Sequence, residues 1–174
     1  MDINTRSRIR GVSLIEVMVA VLVLSIGLLG MASLMGVSLR NTQSANYRTQ
    51  AANLAYEFVD TARANILNVG VFARTNWTTP SCDPSVAPTY SCGSGADSAT
   101  CDRDRIVDHV CRTLPNGRLR AAIVPDGTDP TRLMATVDVC WTDDRSETSG
   151  DCNSALANPD DSNTFTVFRL ETEL

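Results

Sequence analysis

The chain has no lysine and a single histidine, so its 15 basic residues are all arginines. It has no proline before Pro80, no cysteine before Cys82, and no charged side chain of either sign between Glu16 and Arg40. The net charge is -5, and the first eleven residues hold three Arg and one Asp, so the side chains beyond them sum to -7. An acidic region without lysine offers no basic patch to neutralise phosphate backbones, which discounts nucleic acid as a partner. No GxSxG, P-loop or HExxH pattern occurs, so the chain is not expected to be an enzyme, with no catalytic residue, cofactor or metal site. His109 falls on a predicted helix, where a solvated role is the default. The pairs Asp143-Asp144 and Asp160-Asp161 lack the EF-hand pattern and read as turn acids.

What is present begins with Arg6, Arg8 and Arg10, followed by Gly11, Val12 and the lone carboxylate of Glu16. From Val17 to Leu39 about 23 uncharged, mostly apolar residues follow, and roughly 20 suffice to cross a bilayer as a helix. A carboxylate inside such a segment is costly in hydrocarbon and marks a functional site. Three arginines ahead of the apolar run keep the N-terminus cytoplasmic and send residues 40–174 across the inner membrane. The apolar core is too long for an ordinary secretory signal, and no small-x-small cleavage site follows it cleanly.

The absence of proline lets the helix continue past the membrane. Tyr47, Ala51, Leu54, Ala55, Phe58, Val59, Ala62 and Ile66 recur in steps of three and four, with polar residues between them. The expected helix runs from Val12 to Val69, with Gly70 as its stop; about 57 residues span roughly 85 Å. Four segments follow: 1–11, a basic leader; 12–39, a hydrophobic helix; 40–69, its amphipathic continuation; and 70–174, a globular head. Within the apolar half, Gly27, Gly30, Ser33 and Gly36 are small residues of the kind that let membrane helices approach closely.

All six cysteines, Cys82, Cys92, Cys101, Cys111, Cys140 and Cys152, lie in the head. An even count in an exported region implies disulfides, and six cysteines allow fifteen connectivities. No CxxC pair occurs, which argues against a redox motif or a zinc knuckle. Residues 75–100 read as an irregular loop. Asp102 to Leu114 reads as a helix stopped by Pro115-Asn116-Gly117. Strands are expected at 118–124, at 133–141 and at 165–171, the second half-buried with Ala135, Val137, Val139 and Trp141 inward. Residues 142–163 read as an acidic loop. The fold class is α+β, an antiparallel sheet laid on a long helix.

The run Gly11-Val12-Ser13-Leu14-Ile15-Glu16 and the apolar stretch after it resemble the cleavage site of type IV prepilins. The likeness is greatest to minor pilins of the PilV (type IV pilus modification protein) family, with minor pseudopilins of type II secretion as near neighbours. Leu114-Pro115-Asn116-Gly117-Arg118-Leu119 resembles the corresponding part of PilV-type heads. The resemblance implies the pilin fold, and cleavage by a prepilin peptidase between Gly11 and Val12. It also implies N-methylation of Val12, where the family usually has Phe, and a role for Glu16 as the carboxylate that pairs with the N-terminal amine of a neighbouring subunit. It implies, too, a Cys140–Cys152 disulfide closing a C-terminal loop. The partners it implies are other minor pilins, the major pilin, the inner-membrane assembly platform and a tip adhesin. The expected place is the inner membrane and then the pilus tip, in a complex that primes assembly for twitching motility and adhesion. A single-pass anchored periplasmic binding domain that never polymerises is the other reading of the same segment.

Overall fold

Alanine, leucine and phenylalanine at three- and four-residue spacing favour helix over strand, and the longest element follows from that spacing. The computed structural model describes residues 13–78, 92, 97–142, 151–157 and 165–174. Its elements are α1 (Leu14–Ala64), a 3-10 helix (Ile66–Phe72), α2 (Ser98–Thr113), β1 (Arg118–Pro125), β2 (Leu133–Thr142), α3 (Cys152–Ala157) and β3 (Phe165–Glu173). Two compact units divide the chain, residues 1–43 and residues 44–174.

In the first unit, every described residue from Ser13 to Gln43 is exposed. This part of α1 is long and apolar enough to cross a membrane.

In the second unit, α1 turns Ala51, Leu54, Ala55, Phe58, Val59 and Ala62 into the core. They meet Leu119 and Ala121 of β1 and Val137, Val139 and Trp141 of β2, while α2 adds Ile106 and Val110. Phe58 and Phe72 pack edge to face, with ring centres 5.5 Å apart. Burying such side chains contributes about 1.5–3 kcal/mol each. The sheet is antiparallel in the order β1-β2-β3. Val139 faces Leu119 on one side and Phe168 on the other, and Asp138 faces Arg120 and Arg169. Alternation therefore sends Leu119, Val139 and Phe168 to the core and the Arg120-Asp138-Arg169 row to the opposite face. A long apolar helix with a small antiparallel sheet is the α+β, pilin-like arrangement expected.

Five details differ from the sequence reading. The helix ends at Ala64 rather than Val69. Asn65 donates its main-chain N–H to Thr61 and Ala62 carbonyls and its Nδ2 to the Thr61 carbonyl, which satisfies the last turn. Asn68, Val69 and Gly70 are weak helix formers, and Asn68 leaves helical geometry altogether. Ile66 accordingly lies outside the buried stripe. The second helix starts at Ser98, four residues early, after Asp97, whose carboxylate accepts a hydrogen bond from Thr100 Oγ1. The strands at 118–124, 133–141 and 165–171 extend to Pro125, Thr142 and Glu173. Within the expected acidic loop, Cys152–Ala157 forms α3. Finally, β2 is buried on both faces from Val137 to Thr142.

Candidate functional site

Glu16 stands in the first turn of α1, where a carboxylate interacts favourably with the helix dipole. The Ser13 carbonyl accepts hydrogen bonds from the main-chain N–H groups of Glu16 (3.0 Å) and Val17 (3.3 Å) and so opens the helix. Arg6, Arg8, Arg10, Gly11 and Val12 lie outside the described residues. Beyond Glu16 the surface is apolar, and Ser25 directs its hydroxyl back to the Val21 carbonyl at 2.7 Å. That bond satisfies the hydroxyl within the helix itself. A Cβ added at Gly27, Gly30 or Gly36 would meet nothing within 4 Å, so nothing in the described chain demands glycine there.

The second concentration of polar chemistry lies on the head, on the sheet face opposite α1. Asp138 accepts hydrogen bonds from Arg120 Nε (2.8 Å) and from Arg169 Nε and Nη2 (2.7 and 3.1 Å). Burial by itself pushes the Asp138 carboxyl up, but hydrogen bonds from Arg169 and then Arg120, with their charges, outweigh it and hold it below the ordinary carboxylate value. The Arg120 guanidinium also lies over the Trp77 ring, 4.8 Å from its centre. Trp77 Nε1 donates to Asn153 Oδ1 at 2.8 Å. Next to this row, Cys140, Cys152, Ala155 and Phe165 form a small second core, against which Trp77 and Val167 pack.

Two disulfides lie among the described residues, Cys92–Cys101 and Cys140–Cys152, with Cα atoms 5.4 and 5.9 Å apart. The first ties Cys92 to α2 and the second ties α3 to β2. Cys111, buried on α2, is also disulfide-bonded; Cys82 lies outside the described residues. His109 Nδ1 stands 3.6 Å from Glu57 Oε2, both side chains about half exposed. Asp143, Asp144, Asp160 and Asp161 lie outside the described residues, and among those described no group of His, Cys, Asp or Glu could hold a metal ion.

Trp77, Arg120, Asp138 and Arg169 were not singled out from the sequence. One signal was available, a lone Asp in an otherwise apolar alternating strand. Its partners needed the register of three strands, which spacing along the chain does not supply.

Residues 6–32 match the prokaryotic N-terminal methylation motif. No curated protein and no solved structure matches the chain. Motif and apolar helix together suggest a membrane-anchored, single-pass protein with a prepilin-like N-terminus. The motif indicates an N-terminus of the type IV pilin-like or pseudopilin kind.

Proposed function

We infer that the chain is a minor pilin of a type IV pilus, which joins other minor pilins in a complex that primes assembly of the major subunit. The observation that carries this reading is the methylation motif over residues 6–32, which overlaps the start of an uninterrupted helix with an exposed apolar surface. The leader, residues 1–11, is removed by a prepilin peptidase, and the new amine of Val12 is methylated. In hydrocarbon, an unpaired carboxylate and an unpaired ammonium each cost several kcal/mol, and a pair satisfies both. Glu16 of an incoming subunit and the Val12 amine of its neighbour form that pair, which selects one register of docking. Gly27, Gly30 and Gly36 favour close approach of neighbouring helices. The head, on the far side of the inner membrane, meets the other minor pilins and a tip adhesin, and the complex supports twitching motility and adhesion. A head braced by several disulfides suits a component exposed on a pilus better than a pseudopilin retained in the envelope.

The test is intact-mass and N-terminal peptide spectrometry of the protein made with and without a prepilin peptidase. A chain starting at Val12 with one added methyl is expected only with the peptidase. A chain that keeps Met1–Gly11 in both cases would make it a permanent anchor and remove the pilin reading.

A further inference from the structure

The two edges of the sheet are treated differently. The outer edge of β1 is covered by residues 74–78. Arg74 and Ala121 exchange main-chain hydrogen bonds at 2.6 and 2.7 Å. Thr78 N–H bonds the Leu119 carbonyl at 3.0 Å, and its Oγ1 accepts from Leu119 N–H at 2.9 Å. Among the described residues, β3 pairs with β2 alone, in one unbroken register without a bulge and without proline. Such an edge is a template for another strand.

The phase of the ladder identifies which groups are offered. Leu174 N–H bonds the Leu133 carbonyl directly across from it. In an antiparallel pair, hydrogen-bonded and non-hydrogen-bonded positions alternate. The main-chain groups of Phe168 and Leu170 therefore turn to β2, and those of Val167, Arg169 and Glu171 turn outward. The Glu173 carbonyl obeys the same phase, because it accepts from Arg63 Nη2 on α1 at 2.6 Å. That contact ends the open stretch.

A groove of about 820 Å³ runs along this edge. Consecutive residues Phe165 to Arg169 line it, so it follows the strand's margin rather than one face. Ala52 of α1 and Leu156 of α3 stand on its walls, with Trp141 also contributing. Tyr56, about half exposed, extends the α1 wall one helical turn beyond Ala52.

Charge selects the occupant. Both charged side chains of the groove are arginines, Arg48 and Arg169, in a chain that is otherwise acidic. Arg169 is already committed to Asp138. Arg48 is exposed and makes no ion pair among the described residues. We propose that the free edge of β3 docks an extended segment of another protein, added as a fourth strand, with alternating apolar side chains and a carboxylate that meets Arg48. Main-chain bonds to Val167, Arg169 and Glu171 supply the affinity, and the apolar walls with Arg48 supply the selectivity.

The test is selection from a displayed library of ten-residue peptides on the full chain in detergent micelles. The library alternates apolar and polar positions, with acidic, basic and neutral residues equally represented. Enriched peptides are expected to be acidic at one end and to bind Arg48→Glu about tenfold more weakly or worse. They are also expected to lose binding to Glu171→Pro, which removes an outward N–H and leaves the β2 ladder intact. Arg48 is on the helix surface, so its variant keeps the fold even if the proline variant does not. Amide exchange in the complex is expected to slow at Val167, Arg169 and Glu171 and to stay unchanged at Phe168 and Leu170. No enrichment, enrichment of basic peptides, or binding indifferent to Arg48→Glu would overturn the proposal. So would sedimentation showing that the chain pairs with itself through β3, since the edge would then belong to a second copy.

Discussion

Arg169 holds Asp138 through two hydrogen bonds across the β2–β3 ladder, Nε to Oδ1 at 2.7 Å and Nη2 to Oδ2 at 3.1 Å. Asp138 is buried while Arg169 reaches solvent, so the pair is anchored on the inside and hydrated on the outside. Arg120 closes the other side of the carboxylate and carries Trp77 on its guanidinium. One buried carboxylate thereby links all three strands to the segment that precedes α2.

Asp138→Ala leaves two arginines without their acceptor, and it is expected to destabilise the protein by about 2–3 kcal/mol, less than a fully buried pair because both arginines can rehydrate. Thermal unfolding of the full chain in detergent measures this. The same group imposes a pH dependence. Its carboxyl is held below its ordinary value of 3.8, so its contribution is complete above that value and is lost as pH falls through the lower, folded value. The wild type is expected to lose stability below about pH 4 faster than Asp138→Ala. Parallel acid-unfolding curves for the two proteins would contradict this.

The Cys140–Cys152 bridge closes a loop of sequence separation 12 between β2 and α3. A loop of that size is worth about 2–3 kcal/mol of chain entropy. Replacing both cysteines by serine is expected to lower the melting temperature and to raise amide exchange in α3 first. Uniform loss of protection across the whole head would show that α3 is not held chiefly by this bridge.

Gly117 follows Asn116, which sits in the left-handed region at φ 53. A Cβ on Gly117 would stand 2.3 Å from the Val110 carbonyl oxygen at the end of α2. Main chain must shift to admit it, so Gly117→Ala is expected to cost on the order of 2–4 kcal/mol. Gly127→Ala, with nothing within 4 Å of its Cβ, is the control and is expected to stay within about 0.5 kcal/mol. Equal denaturation midpoints for the two variants would remove the steric argument.

Glu16→Ala removes the one carboxylate of the apolar segment. Its processing by the peptidase is expected to be normal, since the motif's Gly11 is untouched. Its entry into sheared surface filaments is expected to fall about a hundredfold or more, because leaving one partner of a buried ion pair unpaired costs about 3–5 kcal/mol. Recovery of the variant in filaments at wild-type yield would dissociate Glu16 from docking.

Much of the first helix was legible because its determinants are local. Periodic Ala, Leu and Phe from Ala51 to Ala62 mark the buried stripe whatever they pack against. The turn at Pro115-Asn116-Gly117 was legible for the same reason, since few other residues accept the backbone angles it needs. The end of α1 at Ala64 was less so. Val69 and Ile66 continue the apolar spacing, and it is the cap formed by Asn65 on Thr61 that ends the helix first. α3 was hidden in a stretch of small and acidic residues whose periodicity is too short to read. Its brief helix is held by the disulfide to Cys140 and by packing on Phe165.

By itself the sequence determined the membrane-length helix, the position of its lone carboxylate and the disulfide-bearing character of the rest. Those properties follow from hydrophobicity, charge and cysteine content, each of which acts without reference to distant residues. Tertiary structure alone decided the partners of Asp138 and which edge of the sheet stays open among the described residues. Each depends on strand register and order. A one-residue slip would turn Asp138 into the core, and an exchange of β1 and β3 would cover the edge that is now free.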